Sequence, residues 1–406
     1  MNALESNTAQ WIDSQQQSMV QQLCALAEIN SHTYNIPGIN AVAELVTQFA
    51  APLELEASTL APKPIPNIDS DGNFTQTPVA PILKFTKRPN APIQALLMIH
   101  LDTVYPADHP FQSLTWIDDN TLNGPGVLDA KGGIITMLTA LQAFEQSPHA
   151  QNLGYTILFN TDEEVGSLGS VDHIHQHAKQ ADFALVYEPS LPNGHLVSTR
   201  KGSGNFSVVI HGQAAHAGRD FFAGQNALSQ AAKLATQLET LINPQNETTL
   251  NIGYIHGGGP VNVVPDKAVL KFNARIHELE TQNQLTAQID HLIEQINQTP
   301  GFSATLHGSF YNPPKQQTTA LAQMMHDIQT LAKQLNIDVQ YQSSGGVCDG
   351  NKIAAVGTPV IDTLGPTGNH MHNTKEFVLI NTLPQRAKLS AAILAAYASQ
   401  QLPCPQ

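Results

Sequence analysis

Four short stretches of the chain hold the side chains able to do chemistry: Ile99-His100-Leu101-Asp102, Gly124-Pro125-Gly126-Val127-Leu128-Asp129, Thr161-Asp162-Glu163-Glu164 and Tyr187-Glu188-Pro189. In each, an imidazole or carboxylate stands where an apolar run gives way to a turn. A buried strand delivers side chains to the rim of a sheet at such a point. Adjacent carboxylates repel one another, and a cation held nearby would explain the acidic triplet 162–164. Taken singly each stretch has a plainer explanation, since acids favour the first turn of a helix and Gly-Pro-Gly is a common turn. Four of them in sequence, each at the end of an apolar run, point to a metal site built from His, Asp and Glu.

The elements that must position these groups are legible around them. The run Gln94 to Ile99 predicts a buried parallel strand, with His100 and Asp102 on the same side of the chain at its carboxyl end. His100 can then ligate while Asp102 orients it. Asp129 falls in a loop just before a helix over Ile134 to Phe144, with flanking glycines that let backbone approach closely. Tyr155 to Asn160 and Phe183 to Tyr187 predict two further buried strands, ending at the acidic triplet and at Glu188. Towards the N-terminus an amphipathic helix is expected over Ala9 to Ile29 and another over Gly38 to Phe49. The Pro-, Asn- and Asp-rich segment Ala61 to Thr77 reads as a surface loop.

A length of 406 residues exceeds what one core usually supports, so two domains are expected. The net charge of −14 argues against nucleic acid or an anionic membrane as partner. Three scattered cysteines, Cys24, Cys348 and Cys404, make no disulfide framework and fit a reducing compartment. Met1 to Gln17 lacks a basic start followed by an apolar run, and the expected location is cytoplasmic.

Near residue 200 the texture changes. Before it, apolar strands alternate with helices, the pattern of an α/β domain whose mostly parallel sheet is covered by helices on both faces. After it come strands over Asn205 to His211 and Thr249 to Ile255 around a helix from Asn226 to Leu241. A strand over Ala268 to Ile276, a helix over Leu285 to Ile296 and a strand over Phe302 to Leu306 follow. This is an inserted two-layer α+β sandwich. The expected division is 1–200 and 312–406 for a discontinuous first domain and 201–311 for the insert, with hinges near Lys201 and Tyr311. Helices over Thr318 to Leu335 and Leu383 to Tyr397 complete the first domain.

The four motifs, in this order and spacing, resemble the co-catalytic zinc metallopeptidases that include glutamate carboxypeptidase, acetylornithine deacetylase, succinyl-diaminopimelate desuccinylase and aminoacylase. The resemblance covers nearly the whole chain beyond its first thirty or so residues. It implies that the insert is a lid and a homodimer interface. It implies that His216, in Gly212-Gln213-Ala214-Ala215-His216-Ala217-Gly218, reaches the partner protomer's site and stabilises an oxyanion. Asn262 and Arg275 match the lid residues that hold the substrate's carboxylate in the carboxypeptidase branch, a task suited to Arg's planar fork. The loop Ser343 to Asn351, with Gly346, resembles the family's substrate-facing glycine loop. In Asn369-His370-Met371-His372 the family pattern favours His372 as last ligand, with His370 as the fallback.

From the resemblance follows a ligand scheme. One zinc takes His100, Asp129 and Glu188; a second takes Asp129, Glu164 and His372, and Co2+ or Mn2+ are possible substitutes. Asp129 bridges, and the two ions share a water or hydroxide that attacks the amide. Glu163, beside a ligand but not itself one, is the implied general base. The closest branch is the glutamate carboxypeptidases, which release a C-terminal amino acid from small peptides or N-acyl amino acids. Deacylation of N-acyl amino acids uses the same ligands and stays open, as does a metal-binding dimer without catalysis. The family often has a cis peptide after the residue matching Asp129.

Overall fold

The computed structural model describes residues 4–405, so the outermost ends of the expected first domain, residues 1–3 and 406, lie outside the described residues. Its centre is a six-stranded mixed sheet. In spatial order the strands are Glu56–Leu60, Ile82–Lys87, Leu153–Asn160, Ile93–His100, Phe183–Val186 and Val360–Ile361. The last four run parallel, and the first two attach antiparallel at one edge. From Ile93–His100 the chain moves first to a strand on one side and then to one on the other. The reversal opens a crevice at the carboxyl end of the middle strand.

Alternation along that strand explains both covering layers. Ala95, Leu97 and Ile99 join the core with the helices Gly132–Phe144 and Thr382–Ala398, whereas Leu96 and Met98 pack with Ile174, Ala178 and Ile353 on the opposite face. The stretch Val127–Phe144 is long and apolar enough to cross a membrane, but 94% of it is buried inside this domain as its core helix.

The second body is an antiparallel sheet in the order Thr249–Gly257, Lys267–Ile276, Gly202–His211 and Ser303–Asn312, with the helices Ala227–Glu239 and Leu279–Gln298 on one face. Both of its crossings to the central domain are pinned. Arg200 and Lys315 exchange backbone hydrogen bonds of 3.0 and 3.1 Å, and both side chains converge on the buried Asp362. Asn351 donates to the carbonyls of Lys201 and Pro313, one on each crossing strand.

Two local expectations change. The N-terminal helix is two, Ser6–Ser14 and Gln16–Ala27. The supposed loop over Ala61 to Thr77 contains a β-hairpin, Ile65–Ile68 paired with Phe74–Thr77, turned by Asp69, whose carboxylate accepts the N–H groups of Asp71 and Asn73. Its packing partners come from far along the chain: Ile68 packs with Val209 and Val269 on the open face of the second sheet, and the local signal is confined to the turn, where Asp71-Gly72 places Gly72 at φ +77°.

Candidate metal centre

His100 and Asn160 end their strands as register partners, and Val186 is the register partner of Met98, whose carbonyl accepts the Tyr187 N–H at 3.0 Å. His100, the turn 161–165 and Glu188 therefore emerge on one rim. Asp129 is brought to the same rim by the loop before the core helix. Gly126 takes φ +71°, where a Cβ would stand 2.7 Å from the Thr103 methyl. A Cβ on Gly133 would lie 2.1 Å from the Tyr187 carbonyl, so only glycine lets this helix sit against the strand that delivers Glu188. The Asp129–Ala130 peptide is cis.

The geometry falls into two triplets that share one residue. His100 Nε2 lies 3.2 Å from Asp129 Oδ1 and 3.8 Å from Glu188 Oε1; His372 Nε2 lies 3.2 Å from Asp129 Oδ2 and 3.1 Å from Glu164 Oε2. Within each triplet the candidate ligand atoms all lie within 4.8 Å of one another. Asp129 thus faces each histidine with a different oxygen. His370, with an exposed ring near Phe377, makes neither contact.

Charge makes the same point. Burial, reinforced by Asp129, pushes the Glu188 carboxyl up to about 8 and that of Glu164 up to about 7. Glu163 is raised well above the usual range by burial and by Glu188. Hydrogen bonds to Asp129 and Glu164 lift His372 to about 11. Protons are held where cations would relieve the repulsion, and Glu164 Oε1 is buried with no hydrogen-bond partner. This donor set of two imidazoles and three carboxylates fits two divalent ions.

Around the triplets, a second ring of groups sets their positions. Asp102 touches His100 in an unexpected way: its backbone carbonyl is the nearer partner of His100 Nδ1, at 2.9 Å, against 3.4 Å for its carboxylate. The carboxylate instead accepts the N–H groups of Glu163 and Glu164, both at 3.1 Å, and the Thr33 hydroxyl at 2.7 Å. Glu376, buried, accepts from the backbone N–H groups of Gly126, Leu128 and Asp129 and from the Tyr105 hydroxyl. In the sequence Glu376 serves only as the acid ending the polar stretch after His372, the family mark that favours that histidine, and its hold on the loop 126–129 is not foreseen. Nor is Asp362, although that residue ends a short apolar strand as Glu188 does.

The residues that the resemblance assigns to a lid do not gather in one place. Arg275 sits at the crossing end of its strand, where its Nη1 donates to the Gly345 carbonyl at 2.6 Å, while Arg200 Nη1 donates to that of Gly346 at 3.1 Å. His216 and Asn262 lie together at the other end: His216 bridges to Val263, and the Ala217 N–H donates to the Asn262 carbonyl. Ten-residue strands separate the two ends by roughly 30 Å.

Residues 96–396 match the sequence profile of peptidase family M20/M25/M40. The chain belongs to this family. Carboxypeptidase G2 from Pseudomonas sp. is 30% identical over 317 residues, covering 74% of this chain and 72% of that protein. Succinyl-diaminopimelate desuccinylase from Nitrosococcus oceani is 28% identical over 293 residues, covering 68% and 76%. Among solved structures, an M20 family metallo-carboxypeptidase from Sulfolobus solfataricus superposes with a TM-score of 0.72 at 16% identity, covering 94% of this chain and 99% of that one. The M20 fold, a mostly parallel α/β sheet with a separate antiparallel sheet domain, is the fold described above, and the protein is a hydrolase of this metal-dependent family.

Proposed function

We propose that this M20 hydrolase is a two-zinc carboxypeptidase that releases a C-terminal amino acid from small peptides or N-acyl amino acids. The observation that carries the reading is the shared carboxylate of Asp129, facing His100 with one oxygen and His372 with the other. His100, Asp129 and Glu188 would hold one ion and Asp129, Glu164 and His372 the second. When bound, the ions would polarise the scissile carbonyl and make a water acidic enough to lose its proton near neutral pH.

The remaining roles belong to side chains. Glu163 is the general base: it takes the proton from the attacking water and returns it to the leaving amide nitrogen. Asp102 fixes the Glu163 and Glu164 backbone by accepting both N–H groups. Arg275 and the Gly345–Gly346 loop, already in contact, bind the free carboxylate of the departing amino acid; Asn262, at the other end of the same sheet, would join them only as a donor brought by a second copy together with His216.

A homodimer through the lid supplies the oxyanion donor. His216 and Asn262 lie at the far end of the lid sheet, and beside them Val261 is 102% and Phe222 97% exposed. A second copy covering this apolar tip would bring His216 to the partner's scissile carbonyl.

N-acyl amino acid deacylation is a second reading, favoured by the desuccinylase relative. Zinc-supplemented hydrolysis of dipeptides, N-acyl glutamates, N-acetylornithine and N-succinyl-diaminopimelate separates the two. Release of a C-terminal amino acid from peptides as well as acyl substrates is expected; turnover of the acetyl and succinyl compounds alone would replace the carboxypeptidase reading with the deacylase one.

A further inference from the structure

Between the hairpin 65–77 and the open face of the lid sheet lies a cavity of about 600 Å³. Val165 and Leu168 line it, so it ends on the turn that carries Glu163 and Glu164. Ile65, Phe74 and Tyr34 give it an apolar wall on the central-domain side.

The lid side is different in kind. Asn251, Asn273 and Asn205 are register partners on three adjacent strands and all line the cavity. Asn273 donates to Asn205 Oδ1 at 2.8 Å and accepts from Arg275 Nε at 3.3 Å, which joins the row to the arginine on the glycine loop. The Nδ2 groups of Asn205 and Asn251 have no protein acceptor among the described residues. Lys271 stands beside the row, with one donor on the Ile68 carbonyl and its ammonium 5.7 Å from the centre of the Tyr254 ring. An ammonium has three donors, so two remain.

Charge decides what such a cavity takes. The chain has 33 acidic against 19 basic residues, yet among the described residues no Asp or Glu lines this cavity, and no carboxylate lies within ion-pairing distance of Lys271. An uncompensated cation beside amide donors, facing an apolar wall, is a site for an anion on an apolar body.

We propose that this cavity is the acyl-side selectivity pocket, and that it favours amide substrates whose acyl group carries a carboxylate, bound by Lys271 and the asparagine row. The inference rests on the amidohydrolase reading above and specifies its substrate: one carboxylate on the leaving amino acid, at Arg275, and a second on the acyl group, at Lys271. The hairpin is then a wall of the substrate site as well as a tether of the lid.

The test is a matched panel on one leaving amino acid, with acetyl, butyryl, succinyl, benzoyl and 4-carboxybenzoyl as acyl groups. For the wild type, kcat/KM for succinyl over butyryl and for 4-carboxybenzoyl over benzoyl is expected to be at least ten-fold. Lys271→Met should bring both ratios close to one and Lys271→Arg should largely keep them, which separates charge from the bond that docks the hairpin. Gly253 lines the cavity, and a Cβ there meets only Asn251 Nδ2 at 3.7 Å, so Gly253→Trp can fill the space. It should lower 4-carboxybenzoyl relative to acetyl at least ten-fold.

Wild-type ratios near one, or equal losses for charged and neutral acyl groups in Lys271→Met, would overturn the pocket while leaving the hydrolase reading intact. If no compound is cleaved, the carboxypeptidase reading fails separately. Calorimetric binding of the uncleaved compounds to zinc-loaded Glu163→Ala protein then decides: tighter binding of the charged acyl groups, lost in Lys271→Met, supports the pocket, and equal binding overturns it.

Discussion

Glu376 Oε1 accepts the backbone N–H of Asp129 at 3.1 Å, across 247 residues of chain. Its two oxygens accept four donors in all, three of them N–H groups of the loop 126–129. The residue shared by both triplets is therefore held by a carboxylate that touches neither histidine. An amide has one acceptor oxygen, so in Glu376→Gln an NH2 group must face an N–H or a hydroxyl. The loss should be about 1–3 kcal/mol. Glu376→Gln is expected to lower metal affinity roughly 10–100-fold, read by titration with a competing chelator. Unchanged affinity would show that the loop needs no such support.

Glu163 stands beside a proposed ligand, and its backbone is fixed by Asp102. Glu163→Ala should lower kcat by roughly 10²–10⁴, with two zinc ions per protomer retained by elemental analysis. Loss of metal together with activity would make Glu163 a ligand rather than the base.

How much of this site the sequence discloses depends on how local its cause is. His100, Glu163, Glu164 and Glu188 stand where buried strands end, and apolar periodicity locates such ends. Asp129 is marked by its glycines, one at φ +71° and one against the Tyr187 carbonyl. By contrast, Glu376 acts through backbone N–H groups of a loop far away, and Asp362 is paired with Arg200 across 162 residues. Their neighbours in sequence say nothing about either contact. Between His370 and His372 the family pattern favours the second, whereas the residues alone leave both open; both have positive φ, and in the folded loop it is His372 that faces Asp129. The hairpin at 65–77 shows locally only in its Asp71-Gly72 turn, because its apolar residues pack on strands far along the chain, as Ile68 does on Val209 and Val269.

His216 and Arg275 occupy opposite ends of the second sheet, which makes the proposed dimer testable by complementation. Glu163→Ala and His216→Ala proteins should each be nearly inactive. In a mixed dimer one site has an intact Glu163 and receives His216 from the other chain, while the second site lacks both. Random exchange of subunits should restore about a quarter of wild-type activity. No recovery after exchange, shown by mass to have occurred, would place His216 outside the partner's site.

Asp362 is fully buried between two cations, Arg200 at 2.8 Å and Lys315 at 3.0 Å. Burial opposes its charge, but Arg200 and Lys315 hold its carboxyl below the usual range. Removing the anion strands both cations without water at the two strands that join the domains. Asp362→Ala should cost about 3–5 kcal/mol, seen as a lower denaturant midpoint. A loss under about 1 kcal/mol, the value of an exposed pair, would mean that the crossings are not held by this cluster.

His177 tests the acid side of stability away from the metal centre. It lies on the helix Val171–Ala178, and burial, with Lys84 and His173 nearby, lowers its pKa from 6.5 to about 4. The folded protein holds this imidazole neutral, whereas the unfolded chain protonates it below 6.5. Between 6.5 and about 4 the unfolded state therefore binds more protons, and stability falls as the pH falls through that window. His177→Gln removes the titration without adding charge. The Tm difference between pH 7 and pH 5 should be smaller in the variant than in the wild type, both measured metal-free by calorimetry. Equal differences would mean that water reaches His177 well enough to leave its protonation the same in both states.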